Sequence, residues 1–312
     1  MSPAVTRRRF LAAASAVAAT TTLSYAGPAT RMKFAVTGVQ LGWLSSELAR
    51  DFDGTLRALA SIGYRDVELV GDFGQGPRQL LHSLQAAGLR CVSNIFALRP
   101  GQPDLSSEVS KQLELVHALD LKYLVCMIAV PMGIALEDPW TAGPRSIAAA
   151  FSRLTLDDIK RMAELLNRLG SQAKKAGIRL AYHNLNYEFR RFDGRLGYDE
   201  LLLLTDPELV CMEMDCGWLA SSGEDPVRYL REHPGRFPLI HVKDVRDRDP
   251  NTVFRLNPVE VGRGIVDWPR VLTAAQASGV KIGYVEYEPS RLERPLLESA
   301  KICLDYLRAA SR

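Results

Sequence analysis

From Lys33 onward one pattern recurs eight times: a short β-branched or apolar run followed by a longer amphipathic stretch. The runs are Phe34–Gly42, Asp66–Gly71, Cys91–Ala97, Tyr123–Val130, Leu180–Asn184, Val210–Trp218, Leu239–Val245 and Ile282–Tyr287. Between them lie 3.6-period patterns such as Phe52–Ile62, Ser106–Leu119, Leu156–Ala176 and Arg294–Ala309. Gly63, Gly88 and Gly177 each stand just past a helical run and before a strand, where a left-handed helix cap belongs. Eight strand-then-helix units predict one α/β domain over residues 33–312, a single (β/α)8 barrel. No Pro-, Gly- or Ser-rich linker divides it, and 312 residues fit a barrel as one unit.

With 47% apolar and 24% charged residues, the chain is neither disordered nor fibrous. The net charge of +3 is carried by Arg7, Arg8 and Arg9; the remainder holds 36 basic and 36 acidic side chains. A neutral body offers nucleic acid no electrostatic footprint. Those arginines precede Phe10-Leu11, a soft apolar run from Ala12 to Leu23, and Ser24-Tyr25-Ala26 with small residues at a cleavage position. Residues 1–26 therefore resemble a twin-arginine signal peptide, with Ala12 where lysine is customary. The apolar run is too short to span a bilayer, so no stable membrane insertion is expected. The resemblance implies the twin-arginine export machinery as a partner and a periplasmic location. The five cysteines are odd in number and mostly lie in apolar runs, which reads as buried small side chains rather than a disulfide framework; Cys216, beside Asp215, is the possible exception.

In a βα barrel the site lies at the carboxyl ends of the strands. Here those ends read Tyr182-His183-Asn184, Glu213-Met214-Asp215, His241-Val242-Lys243-Asp244 and Val285-Glu286-Tyr287-Glu288. Strand alternation puts Glu213 with Asp215, His241 with Lys243, and Glu286 with Glu288 on common faces. If those faces point inward, His183, Asp215, His241 and Glu286 meet at the barrel mouth. Buried carboxylates need a counter-charge, and a divalent cation supplies one. Mixed imidazole and carboxylate donors suit Mn, Co, Mg, Fe or Zn, and favour a transition metal over calcium.

These residues resemble the xylose-isomerase-like barrels called sugar phosphate isomerases/epimerases, which include inosose dehydratase and the ketose 3-epimerases. Gly63-Tyr64-Arg65-Asp66-Val67-Glu68, Tyr182-His183-Asn184, Met214-Asp215, His241-Val242-Lys243-Asp244, Gly262-Arg263-Gly264 before Asp267-Trp268, and Val285-Glu286 carry the resemblance, which covers essentially residues 33–312. It implies a metal held by His183, Asp215, His241 and Glu286 and a small carbohydrate substrate. Many members carry glutamate at the strand-five position; this chain has His183, as does a branch reading Tyr-His-Asn-His, with Leu185 where that branch has a second histidine.

A cation chelating a carbonyl and its neighbouring hydroxyl acidifies the adjacent C–H and stabilises an enediolate. Isomerisation, epimerisation and β-elimination all follow from that intermediate. Epimerisation wants two opposed bases, and a histidine in place of the strand-five glutamate favours one-base chemistry unless Glu188 or Glu213 stands in. Glu286, Lys243, Glu68 and Glu213 are the candidate acid–base groups, Lys243 because a nearby cation would lower its pKa. Glu68 alternatively hydrogen-bonds sugar hydroxyls or forms a salt bridge, and Lys243 alternatively pairs with Asp244 or Glu213. Export and an uncharged pocket point to an unphosphorylated keto-sugar or keto-glycoside, such as a 3-keto-glycoside. The alternatives are an epimerase or aldose–ketose isomerase, and a non-catalytic periplasmic sugar- or metal-binding protein.

The connection Pro131–Thr155 is long enough to cover a site. Gly262-Arg263-Gly264 reads as a turn more readily than as a phosphate cradle. Trp43, Phe96, Trp140, Tyr187 and Trp218 are core side chains or sugar-stacking platforms. Exterior helical patterns such as Ile159–Ala176 leave a homo-oligomer open.

Overall fold

The computed structural model describes residues 34–98, 105–128, 142–288 and 293–311; residues 1–26, Trp140 and most of the first half of the 131–155 connection lie outside them. Eight parallel strands close a barrel: β1 (Gly38–Gln40), β2 (Asp66–Leu69), β3 (Arg90–Leu98), β4 (Tyr123–Ile128), β5 (Arg179–His183), β6 (Val210–Asp215), β7 (Leu239–Val242) and β8 (Ile282–Val285). Each pairs with its sequence neighbours, and β8 returns to β1 through Gly38↔Tyr284 and Val39↔Val285. This is the (β/α)8 architecture expected from the eightfold pattern.

Local chemistry sets the helices that separate the strands. Asp51 caps Phe52–Ile62 by accepting from the Gly54 N–H, and Gly63 ends it at φ 117°. Leu156–Lys175 opens on a reciprocal capping box between Thr155 and Asp158. The connection after β4 is not wholly a loop, since Pro144–Phe151 is helical behind a proline in its first turn.

Several strands stop short of the expected runs, and for two of them the local cause is visible. The sixth stops at Asp215 because that carboxylate accepts from the Trp218 N–H, caps the helix Cys216–Ser221 and turns the chain. The seventh breaks at Lys243; Asp244–Val245 instead pairs antiparallel with Pro258–Val259.

Two apolar layers hold the barrel. The larger lies between strands and helices, with Leu56, Leu59, Met162, Leu166, Val271 and Leu304 buried in it. The smaller is built from Ile95, Tyr123, Val125, Ala181, Cys211, Leu239 and Tyr284. Ala181, Cys211 and Leu239 stand two residues before His183, Glu213 and His241 on their strands, so they share the inward face with them. The apolar layer thus plugs the barrel interior, and the ionisable residues stand above it, toward the strands' carboxyl ends. No described helix is long and apolar enough to cross a membrane.

Candidate metal centre

Parallel register brings the ionisable side chains together. His183 lies opposite Glu213, Asp215 opposite His241, and His241 opposite Tyr284. One donor atom from each of His183, Asp215, His241 and Glu286 falls within 4.8 Å of the others, and all four residues are buried. His183 Nε2 is 3.0 Å from His241 Nδ1, which is 2.7 Å from Glu286 Oε2. His183 Nε2 is also 3.6 Å from Asp215 Oδ2.

Asp215 is aimed from three sides. Its Oδ1 accepts from the Trp218 N–H at 2.8 Å, while Asn184 accepts from its N–H and donates to its carbonyl. Oδ2 is left buried without an aligned hydrogen bond, as is His183 Nδ1. Two imidazoles and two carboxylates converging around a carboxylate oxygen that lacks an aligned hydrogen bond are a donor set that fits a divalent transition metal.

Lys243 is buried, with its Nζ 3.2 Å from Asp215 Oδ2, 2.9 Å from Glu286 Oε2 and 3.1 Å from Glu288 Oε2. It lies 5.4 Å from the Trp218 ring. Gly217 makes room for it, since a Cβ there would stand 2.7 Å from Lys243 Cγ. Burial pulls the Lys243 pKa down, but Asp215, Glu286 and Glu288 outweigh it and the net shift is well upward. These three carboxylates hold Lys243 as an ammonium, fit to donate a proton. Its partners are these three carboxylates, not Asp244 or Glu213. Burial opposes charge on Asp215 and Glu286 too; Lys243 and the imidazoles overcome it, holding both below their ordinary range.

Glu68 and Glu213 are not at the mouth. Both are fully buried on the far side of His241, whose Nε2 is 2.6 Å from Glu68 Oε2 and 3.3 Å from Glu213 Oε2. Glu68 Oε1 accepts from the Ser93 hydroxyl, itself 2.9 Å from the Tyr284 hydroxyl. Burial and the adjacent Glu68 push the Glu213 carboxyl well up, so it is held as the neutral acid. A carboxylate on the Nε2 side of His241 orients the ring so that Nδ1 faces the other three donors. Glu68 thereby reads as a positioning group.

Glu188 lies outside the barrel interior. Its Oε1 accepts from the Tyr182 hydroxyl at 2.6 Å and the Leu185 N–H at 3.0 Å, and Oε2 is buried without a partner. Burial raises its pKa from 4.5 to about 7. A carboxyl whose folded pKa is raised favours folding below its unfolded value and loses that contribution as pH rises through about 7. Glu188→Gln is therefore expected to lose less stability than wild type between pH 5 and 8, the difference reaching up to about 3 kcal/mol. Parallel thermal melts of the two proteins would show it; identical pH slopes would refute it.

Asp244 settles the glycine-rich turn. Its Oδ2 accepts from Gly262 N, Gly264 N and Trp268 Nε1 at 2.9, 3.2 and 3.0 Å, leaving those amides no phosphate to cradle. Sequence reasoning missed this role, because Asp244 lies 18 residues from the first glycine it anchors. Cys216 is buried, and its thiol is pushed well up by burial and Asp215, which removes it as a reactive exception. Trp43, Phe96, Tyr187 and Trp218 are all buried.

Fold and site together define a (β/α)8 barrel with an imidazole–carboxylate centre at its carboxyl end. A family model for xylose isomerase-like TIM barrels matches residues 56–309, and the chain belongs to that family. It is 26% identical over 258 residues to an inosose dehydratase of Lacticaseibacillus casei, covering 77% of this chain and 84% of that one. A sugar phosphate isomerase/epimerase from Parabacteroides distasonis superposes with a TM-score of 0.67 at 26% identity, covering 91% of this chain and 96% of that one. The zinc-bound protein IolI shares the fold at a TM-score of 0.63 and 15% identity, covering 89% of this chain and 98% of that one.

Proposed function

We propose that this protein is a divalent-metal-dependent carbohydrate lyase or isomerase acting on an unphosphorylated keto-sugar or keto-glycoside, with β-elimination from a 3-keto-glycoside as the leading case. The observation that carries the reading is the convergence of His183, Asp215, His241 and Glu286 within 4.8 Å around a buried carboxylate oxygen that lacks an aligned hydrogen bond. Those four residues would hold the cation, and the zinc in IolI and the dehydratase and isomerase relatives support the reading. When bound, the cation polarises the substrate carbonyl and stabilises the enediolate left by loss of the adjacent proton.

The remaining roles belong to the chain. Glu286 takes the C–H proton on Oε1, the oxygen that His241 and Lys243 leave unengaged. Lys243 Nζ gives a proton to the departing oxygen as its bond to carbon breaks, and Glu288, half-exposed at the rim, links that ammonium to solvent. Glu68 keeps His241 in the ligating orientation. The leader resembling a twin-arginine signal supports a periplasmic site of action, where a folded, metal-loaded enzyme would meet glycosides.

The test is metal removal and return. Wild type is expected to carry about one metal per chain by elemental mass spectrometry, and to exchange deuterium α to the carbonyl of a keto-sugar in D2O. Chelation should abolish exchange and re-addition should restore it, with NMR of the products separating elimination from isomerisation and epimerisation. Exchange that survives complete metal removal would overturn the proposal.

A further inference from the structure

A cleft of about 820 Å³ has Arg145, Phe151, Arg190, Arg191, Glu224 and Thr252 among its lining and none of the four centre residues. Its walls come from segments that follow β4, β5, β6 and β7, so it opens at the same end of the barrel as the centre. Three aromatic rings in series lead from the cleft toward the centre: Phe151 packs on Phe254 at 5.2 Å, Phe254 on Trp218 at 6.4 Å, and Trp218 lies 5.4 Å from Lys243 Nζ.

The cleft carries unmatched positive charge. Glu224 is its carboxylate, yet Glu224 is engaged by Arg228 at 3.1 Å and reaches Arg191 only at 3.7 Å. Arg190 is half-buried, donates Nη1 to the Phe151 carbonyl and lies over the Phe192 ring at 5.8 Å. Among the described residues no carboxylate pairs with it, and burial lowers its pKa. A partly desolvated guanidinium without a counter-ion is costly, and a bound anion offsets that cost. Two of the three arginines are already fixed by backbone carbonyls, Arg190 by Phe151 and Arg191 by Gly194, so little side-chain freedom is lost when an anion docks.

We propose that this cleft is a subsite for an oxyanion carried by the distal part of the substrate whose reacting carbons lie at Glu286 and Lys243: a carboxylate on the unphosphorylated substrate of the proposed function, a phosphate only where that reading of the substrate fails. The inference rests on the proposed function for what sits at the metal centre, and names the substrate as an acidic glycoside. Arginine suits either anion, because its planar fork pairs bidentately with both.

Isothermal titration of the metal-loaded protein with glucuronate, glucose 6-phosphate and glucose tests it, together with the Arg145→Ala/Arg191→Ala double variant, Arg190→Gln and Asp215→Asn. Arg145 and Arg191 are exposed, so the double variant is expected to fold even if Arg190→Gln does not. At least one acidic sugar should bind roughly tenfold or more tightly than glucose, and the double variant should lose that advantage. Whichever acid binds more tightly identifies the anion. Asp215→Asn should retain the binding, because the anion does not depend on the metal. Equal affinity for acidic and neutral sugars, no binding of any of the three, or full anion affinity in the double variant would each overturn the subsite. Anion binding lost in Asp215→Asn but kept in the arginine variants would place the anion on the metal, overturning the subsite and sparing the proposed function. Arginine-dependent binding in a protein that holds no metal would do the reverse.

Discussion

Asp215→Asn is expected to lose the metal and keep the fold. Asn is as good a helix cap as Asp, so its amide oxygen still accepts from the Trp218 N–H in place of Oδ1. The grip of Asn184 on the Asp215 backbone N–H and carbonyl is untouched by the substitution. What changes is the second oxygen. It becomes an NH2 that cannot ligate a cation, facing the Lys243 ammonium 3.2 Å away. Loss of a group behind a ligand typically costs ten- to a hundredfold in metal affinity, and loss of the ligand itself should exceed roughly a hundredfold. Elemental analysis after dialysis reads the metal, and circular dichroism reads the fold. A folded Asp215→Asn protein holding metal at wild-type stoichiometry would remove Asp215 from the ligand set.

The residues of this centre were legible because strand alternation and position at a strand end are both written in sequence. His183, Asp215, His241 and Glu286 each satisfy the two conditions on successive strands. Height within the barrel is not written there. Glu68 sits on a β2 strand whose register against β3 shifts between Val67 and Glu68, and Glu213 faces His183 across the β5–β6 pairing. Stagger between strands, a property of the closed barrel, therefore decides that both acids lie beneath His241 and not beside a substrate. The expected sixth strand runs past the observed one for a related reason: Cys216-Gly217-Trp218 is apolar enough to continue a strand, and only the cap made by Asp215 turns it into helix. The placement of Lys243 on the face of His241 was legible, but its partners were not. Glu286 and Glu288, which hold its charge, come from a strand more than forty residues away.

The largest loss of stability should come from Asp244→Ala, a residue outside the metal centre. Its carboxylate is fully buried and accepts five hydrogen bonds, from Val245 N and Val266 N through Oδ1 and from Gly262 N, Gly264 N and Trp268 Nε1 through Oδ2. Alanine leaves those donors facing a cavity with nothing to accept from them, and a buried unpaired donor costs about 1–3 kcal/mol. Some will recover a water or shift toward solvent, so the net cost is about 3–5 kcal/mol, the range seen when one partner of a buried ionic contact is removed. In a domain of this size that corresponds to a fall of roughly 10 °C in Tm. The consequence reaches the chemistry, because Asp244 is covalently next to Lys243 and fixes the backbone from which that ammonium extends. Asp244→Asn separates the two effects: its single oxygen can still accept, but its NH2 meets N–H groups, so it should recover only part of the stability. Calorimetry of the two variants measures this order, and an Asp244→Ala protein as stable as wild type would show that the turn is held by its own backbone and not by the carboxylate.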